Sequence, residues 1–448
     1  MDNVFDFRNR LINEYSSFSR SFSKVSAQDI LSKVEQEYDR GRYWPEPLIQ
    51  INPNYKRQST VQQLAHEGML HASCSHIFQT GKTEGKAADL HLYVHQLQAL
   101  AKAQKQQSYV VTTGTGSGKS LAFFVPIIDR ILKAKQADPQ KRTRAIVIYP
   151  MNALANSQLE ELDKFLHGYP DDQKPFTVAR YTGQESDADR KQIADNPPDI
   201  LLTNFMMLEL ILTRFEDVDR RVVEHCQGLE FLVLDELHTY RGRQGADVAL
   251  LVRRLRERLQ AHQLVCIGTS ATMSSTGTQA DRNQTVANVA SLLFGAQITE
   301  HDVIGETLER VTNPAKDIEA VKSLLKPALL KESYHWPDFA AFSDDPLAVW
   351  VELSLGIELP LDEPPRRARP VTLGDAAKRL ADDAQCTVED AHAGLQRFLV
   401  AAHDVKTPQG RAPFAFKLHQ FISGPGKVLA TLEPEGVRHI TLDAQRYA

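Results

Sequence analysis

Tyr109-Val110-Val111-Thr112-Thr113-Gly114-Thr115-Gly116-Ser117-Gly118-Lys119-Ser120 is the stretch whose reading decides the fold. An apolar run enters a glycine-rich loop, and a helix-like run, Leu121 to Leu132, leaves it. Strand, glycine loop and helix in that order make a phosphate-binding loop. Glycines let the backbone curl so that successive N–H groups converge on phosphate oxygens. The next helix adds its positive N-terminal end. On this reading Thr115, Gly116, Ser117, Gly118, Lys119 and Ser120 hold the phosphates of a nucleoside triphosphate. Lys119 reaches the β- and γ-phosphates, and the Ser120 hydroxyl ligates Mg²⁺. The strict pattern begins with Gly, where this chain has Thr113. The rival is a glycine-rich turn ahead of an ordinary helix.

Five more apolar runs follow the same rhythm. They are Ala145–Tyr149, Thr177–Tyr181, Ile200–Thr203, Phe231–Leu234 and Leu264–Gly268, each separated by helical stretches. Runs that are apolar throughout mark parallel strands buried on both faces. Strand–helix alternation predicts one α/β domain over residues 91–297. Ligands of such sheets bind beyond the carboxyl ends of the strands. The run Phe231–Leu234 ends there in Asp235-Glu236-Leu237-His238. Asp235 can hold Mg²⁺, and Glu236 can polarise an attacking water. Two acids at the end of a buried strand are costly without such a partner. His238 either couples this site to the next motif or hydrogen-bonds locally. That motif, Gly268-Thr269-Ser270-Ala271-Thr272-Met273, ends the last run, and its hydroxyls at Ser270 and Thr272 can bridge towards a partner domain. Upstream, the amide of Gln96 can both donate to and accept from adenine.

The chain has 448 residues, 42% of them apolar and 24% charged, with a net charge of −5. That balance fits a globular protein of two or three domains and argues against indiscriminate polyanion binding. Cys74, Cys226, Cys266 and Cys386 are far apart and form no C-x-x-C pair, which predicts neither zinc site nor disulfide framework. No signal peptide or membrane-length apolar stretch is seen, so a cytoplasmic protein is expected. Residues 1–90 read as a helical N-terminal region, with Phe5, Phe7, Leu11, Ile12, Tyr15, Phe18 and Phe22 at helical spacing. Residues 298–448 read as a mixed α+β accessory region, winged-helix-like, with a proline-rich linker at 360–370. The basic run Arg253-Arg254-Leu255-Arg256-Glu257-Arg258 reads either as a DNA contact or as a solvated helix face.

Gln96, Gly114–Ser120, Asp235–His238 and Ser270–Thr272 resemble, in order and spacing, the Q motif and motifs I, II and III of superfamily 2 DEAD/DEAH-type helicases. Tyr149–Gln158 and Thr203–Leu208 resemble motifs Ia and Ib. The stretch Asp235–Gly242, followed by Gly245-Ala246-Asp247-Val248, is similar to MrfA/YprA-like bacterial DNA helicases and to their large phage-defence relatives in DISARM and Druantia systems. Leu237 stands where many of them have Ala. The resemblance implies a RecA-like parallel sheet flanked by helices, with a helical preface and a small, mostly helical C-terminal region. It implies an ATP hydrolase using Mg²⁺, with Lys119, Asp235, Glu236 and His238 in catalysis and Ser270 and Thr272 coupling the lobes. It also implies contact with the nucleic-acid backbone by Asn152, Thr203 and Asn204. Such contact is sequence-independent and does not separate DNA from RNA.

No Gln-x-x-Gly-Arg-x-Gly-Arg pattern occurs in the sequence, so no arginine finger is identifiable. The expectation is the front part of a helicase, with a second RecA-like lobe supplied downstream or by a partner chain, and defence-complex proteins as further partners. Alone it is expected to bind ATP and hydrolyse it slowly. The alternative from another class is a nucleotide-gated DNA-binding or assembly module without turnover of its own.

Overall fold

Seven short strands carry the ATP-motif region, and all seven are parallel. They are β1 (Tyr109–Thr112), β2 (Ala145–Tyr149), β3 (Val178–Tyr181), β4 (Ile200–Asn204), β5 (Phe231–Leu234), β6 (Val265–Ser270) and β7 (Val303–Gly305). Their order across the sheet is β7-β1-β6-β5-β2-β4-β3. The structure is a computed structural model that describes residues 3–21, 25–114, 116–271, 278–361, 363–408, 410–423 and 428–441. Thr115 and Thr272 therefore lie outside the described residues.

Alternate side chains of a strand point to opposite faces, and here each face has its own core. Tyr109, Val111, Val147, Tyr149, Val233 and Ile267 enter one core. Val110, Ile146, Ile148, Leu232, Leu234 and Cys266 enter the other. Helices Val94–Gln104, Leu121–Ala137 and Asn152–Leu166 cover the first face. Helices Phe205–Thr213, Asp217–His225, Gly242–Arg258 and Gln279–Phe294 cover the second. Two-sided burial is why the strands read as unbroken apolar runs. The result is a parallel α/β sheet with helices on both faces.

The chain divides into two compact units, Tyr55–Thr307 and Met1–Asn54 with Leu308–Ala448. This partition differs from the three consecutive regions expected. Val61, Leu64, Leu70, Cys74, Ile77 and Phe78 belong to the first core of the parallel-sheet unit, so the preface divides near residue 54 rather than 90. At the other end β7 extends the sheet beyond residue 297, pairing with β1 through Val303, Ile304 and Gly305. Three residues at a sheet edge are too short to register as an apolar run.

The second unit is built from both ends of the chain. Leu48–Asn52 is the central strand of an antiparallel sheet, between Val371–Thr372 and Ala415–His419. Ile49 and Ile51 enter a core with Trp350, Leu380, Phe398 and Phe414 from helices and loops after residue 308. The helices here are Val4–Ser21, Gln28–Asp39, Ile318–Leu329, Phe339–Ser343, Pro346–Val351, Leu373–Ala384 and Val388–Asp404. The strand beside Ala415–His419 thus comes from the N-terminal segment, not from a following wing. The proline-rich stretch falls within this unit. Ile357–Glu358 pairs with Arg366–Arg367 as a hairpin, and the Ala368 N–H donates to the Gly356 carbonyl at 3.0 Å. In the first helix Phe5 and Ile12 are buried, whereas Phe7 and Phe18 are more than half exposed. The aromatic stripe is only partly core.

Candidate ATP site and nucleic-acid edge

The phosphate loop leaves β1 beside helix Val94–Gln104, whose side chains help to set its shape. Gly116 and Gly118 have φ of +80° and +67°, in the left-handed region that glycine tolerates best. At Gly118 a Cβ would also stand 2.7 Å from Gln96 Nε2. Thr113, in the place of the usual first glycine, is buried and shares a hydrogen bond with the Ser117 hydroxyl at 2.6 Å. The departure from the strict pattern therefore adds a strut across the loop.

Gln96 does something other than expected. Its Nε2 donates to the Gly118 carbonyl at 2.8 Å, and its Oε1 accepts from the Tyr93 N–H at 2.8 Å. Both ends of the amide are engaged and the side chain is 2% exposed. Here Gln96 braces the loop. His95 works beside it. Burial pushes its imidazole down to about 4, so it is neutral near pH 7. Its Nε2 lies 3.0 Å from the Ser117 carbonyl and must carry the proton. Sequence reasoning gave His95 no role, because a histidine on a helix has no spacing signature.

Asp235 and Glu236 follow β5, next to β6. The Thr269 hydroxyl donates to Asp235 Oδ1 and accepts the Glu236 N–H at 3.2 Å. Burial raises the Asp235 carboxyl above the usual carboxylate range, and neighbouring Glu236 adds to this, while Thr269 and Lys119 oppose it. Glu236 has φ +53° and ψ +57°. That conformation costs a non-glycine residue about 1–3 kcal/mol and concentrates at functional sites. Its Oε1 lies 3.6 Å from Lys119 Nζ. Its Oε2 is 3.3 Å from His238 Nδ1, but the angle is poor and the buried oxygen makes no hydrogen bond. His238 Nδ1 also lies 3.3 Å from the Ser270 hydroxyl. The histidine therefore stands between the acidic motif and the end of β6. Thr269 was missed as a site residue because a threonine inside a strand looks like any β-former.

Leu237 has a structural counterpart. A Cβ on Gly268 would stand 2.4 Å from Leu237 Cδ1. The bulkier residue after the acids fills the volume that a glycine in β6 leaves open.

The nucleic-acid candidates lie along the same carboxyl edge, after β2 and β4. Asn204 Nδ2 donates to Asn152 Oδ1 at 2.7 Å and to the Thr182 carbonyl at 3.0 Å, while its Oδ1 caps the next helix by accepting the Met207 N–H at 2.7 Å. Asn204 thus ties three loops together. Thr203 is wholly buried and donates to the Tyr181 carbonyl at 2.6 Å. It cannot touch a strand of nucleic acid in this structure, which corrects its assignment as a contact. In the basic run, Arg253 donates to the Ala249 and Leu292 carbonyls, Arg254 pairs with Glu209, and Arg256 donates to the Phe294 carbonyl. These arginines serve the unit's own packing.

A cavity of about 520 Å³ opens at the opposite edge, where β5 and β6 begin, lined by Arg130, Arg142, Glu230 and His262 among others. It holds none of the motif residues. The motif residues form an open rim along the carboxyl edge. Among the described residues no helix is long and apolar enough to cross a membrane.

Comparison with known proteins follows this geometry. Residues 93–280 match the family model of the DEAD/DEAH box helicase. The uncharacterized ATP-dependent helicase YprA of Bacillus subtilis is 34% identical over 186 residues, 41% of this chain and 23% of that protein. The Druantia protein DruE of Escherichia coli is 26% identical over 293 residues, covering 41% of this chain and 16% of DruE. A crystal structure of the DUF1998 helicase MrfA bound to DNA aligns over 67% of this chain and 37% of its own, at 23% identity and a TM-score of 0.44. The chain thus spans less than a quarter of the length of these two curated relatives. Phosphate loop, acidic pair and hydroxyl motif thus lie on one edge of one parallel sheet, within the residues 93–280 that match the DEAD/DEAH box helicase model.

Proposed function

We propose that this chain carries the ATP-binding lobe of an ATP-dependent DNA helicase or translocase of the MrfA/YprA-like kind, acting in phage defence or DNA repair. The observation that carries the reading is the contact chain Lys119–Glu236–His238–Ser270, which runs from the phosphate loop to the end of β6. Kinship to a Druantia protein supports the defence setting. The sequence similarity to YprA, itself named an ATP-dependent helicase, supports the motor reading.

The residues fit Mg²⁺. A half-buried carboxylate at Asp235 and a hydroxyl at Ser120 are hard oxygen donors of the kind that ion takes. When bound, the ion neutralises charge developing on the phosphates. Lys119 and Glu236 hold each other in this structure, so the arrival of phosphate, which draws Lys119 away, also releases Glu236 to accept a proton from water. The new bond from water oxygen to the γ-phosphorus forms as the bridging P–O bond breaks, and ADP leaves. His238 and Ser270 pass the change towards the loops tied by Asn152 and Asn204. An arginine finger contributes about 10³–10⁵ in rate, and in this proposal a second RecA-like lobe supplies it. The 448 residues alone then bind Mg-ATP and turn it over slowly.

Calorimetric titration with Mg-ATP tests this directly. Wild type should bind, and Lys119→Ala should lose binding by at least about tenfold, the scale of one charge-assisted contact. Brisk DNA-stimulated turnover by these residues alone would overturn the requirement for a second lobe.

A further inference from the structure

The cavity of about 520 Å³ at the start of β5 and β6 takes no part in the chemistry above. Its volume suits a small-molecule ligand. The four residues of β5, about 13 Å of strand, separate it from Asp235. Arg130, Lys133 and Arg142 line it, together with the carboxylates of Asp129 and Glu230. Lys133 pairs with Asp129 at 2.8 Å, and Asp129 also accepts the His71 N–H at 2.6 Å. Glu230 is shared among three guanidiniums. Arg130 lies at 2.6 Å, Arg142 at 3.4 Å and the fully buried Arg144 at 3.5 Å, the last with Asp199 at 3.9 Å as well. Arg142 Nε is buried and finds no hydrogen-bond partner among the described residues. A buried donor without an acceptor calls for an explanation.

The backbone holds this arrangement in place. The Arg144 carbonyl accepts the N–H groups of both Glu230 and Phe231 at 3.0 Å, and the Gly228 N–H donates to the Leu259 carbonyl at 2.7 Å. Gln106 and Gln260 line the same cavity, exposed, with φ of +55° and +48°. Both follow the ends of helices, where glycine meets that backbone with less strain. Strained residues of other types concentrate at ligand clamps and active sites. Guanidinium forks match phosphate oxygens, and a glutamine amide both donates and accepts at the edge of a heterocycle. We propose that the cavity is a second ligand site that takes a nucleoside monophosphate, with its phosphate on Arg130 and Arg142 and its base against the Gln106 and Gln260 amides. The phosphate supplies the acceptor that Arg142 Nε lacks and eases the crowding of three guanidiniums on one carboxylate. This site is on the opposite edge of the sheet from the phosphate loop and does not depend on the ATP reading.

The rival explanation is a crevice of structural ion pairs that binds nothing. Adenosine 5′-monophosphate, guanosine 5′-monophosphate and inorganic phosphate are titrated by calorimetry into the full 448-residue chain. The chains are wild type, Lys119→Ala, Arg130→Gln combined with Arg142→Gln, and Gln260→Gly. At least one nucleotide should bind wild type with Kd below about 1 mM, and should bind Lys119→Ala equally well. The double arginine variant should weaken that binding by at least about tenfold, while its circular dichroism stays that of wild type. Gln260→Gly removes the amide and relieves the backbone, so the fold is kept. It should weaken nucleotide binding by about threefold or more and leave phosphate binding unchanged. No saturable binding of either nucleotide overturns the proposal. So does binding that is lost in Lys119→Ala, which would place the ligand in the phosphate loop. Should the double variant lose its fold, Gln260→Gly decides, and unchanged nucleotide binding by it overturns the proposal.

Discussion

The two units of this chain are put together in opposite ways. Tyr55–Thr307 is a continuous stretch whose seven-stranded sheet is parallel and buried on both faces. The other unit joins residues 1–54 to residues 308–448, and its central strand, Leu48–Asn52, is antiparallel to both neighbours. In the first, β1 to β6 are each followed by a helix, so local rhythm and tertiary structure agree. In the second, a strand completes a core most of whose other members lie hundreds of residues later. Long-range pairing of that kind leaves no local period.

The largest test of this contrast is Ile51→Asp. Ile51 is 1% exposed in the core of the discontinuous unit. An uncompensated carboxylate there should cost at least about 4 kcal/mol. Hydrogen exchange should show helices Leu373–Ala384 and Val388–Asp404 losing protection while β1 and β5 keep theirs, with Mg-ATP binding retained. Equal loss in both units would break the division.

A second test uses acid. His95 titrates at about 4 in the fold because it is buried, against roughly 6.5 in an unfolded chain. Between those values the unfolded form takes up a proton that the folded form refuses. His95 therefore destabilises the fold progressively as pH falls from about 6.5 to 4, by on the order of 3 kcal/mol over the window. Denaturant unfolding of wild type and His95→Gln at pH 7 and pH 4.5 should show the variant losing less stability on acidification. Parallel losses would mean that the imidazole is not the group responsible.

The smallest effect sharpens the fit between β5 and β6. Gly268→Ala should cost about 1–3 kcal/mol by overpacking against Leu237. Adding Leu237→Ala should relieve it, so the double variant is more stable than the sum of the single losses predicts, by about 1 kcal/mol. Strict additivity would show that the two side chains do not share that space.

The sheet and the motif loops were legible because their physics is local. Apolar runs report two-sided burial, and Gly116-Ser117-Gly118-Lys119-Ser120 reports a curled backbone beside a lysine. Side-chain partners were less legible. Gln96 looks the same in sequence whether it reads a base or, as here, spends both ends of its amide on Gly118 and Tyr93. Thr203 and Thr269 are both strand threonines. One is buried on a backbone carbonyl, the other joins Asp235 to Glu236, and only their places in the sheet distinguish them.

By itself, then, the sequence determined the parallel sheet, the edge on which chemistry sits and the family resemblance of the domain, since each rests on spacing within a few residues. Tertiary structure alone decided the seventh strand, the discontinuous unit, the neutral His95 beneath the loop and the arginines gathered on Glu230. Each of these joins residues far apart in the chain, and register between distant segments is set by packing, which no local pattern records.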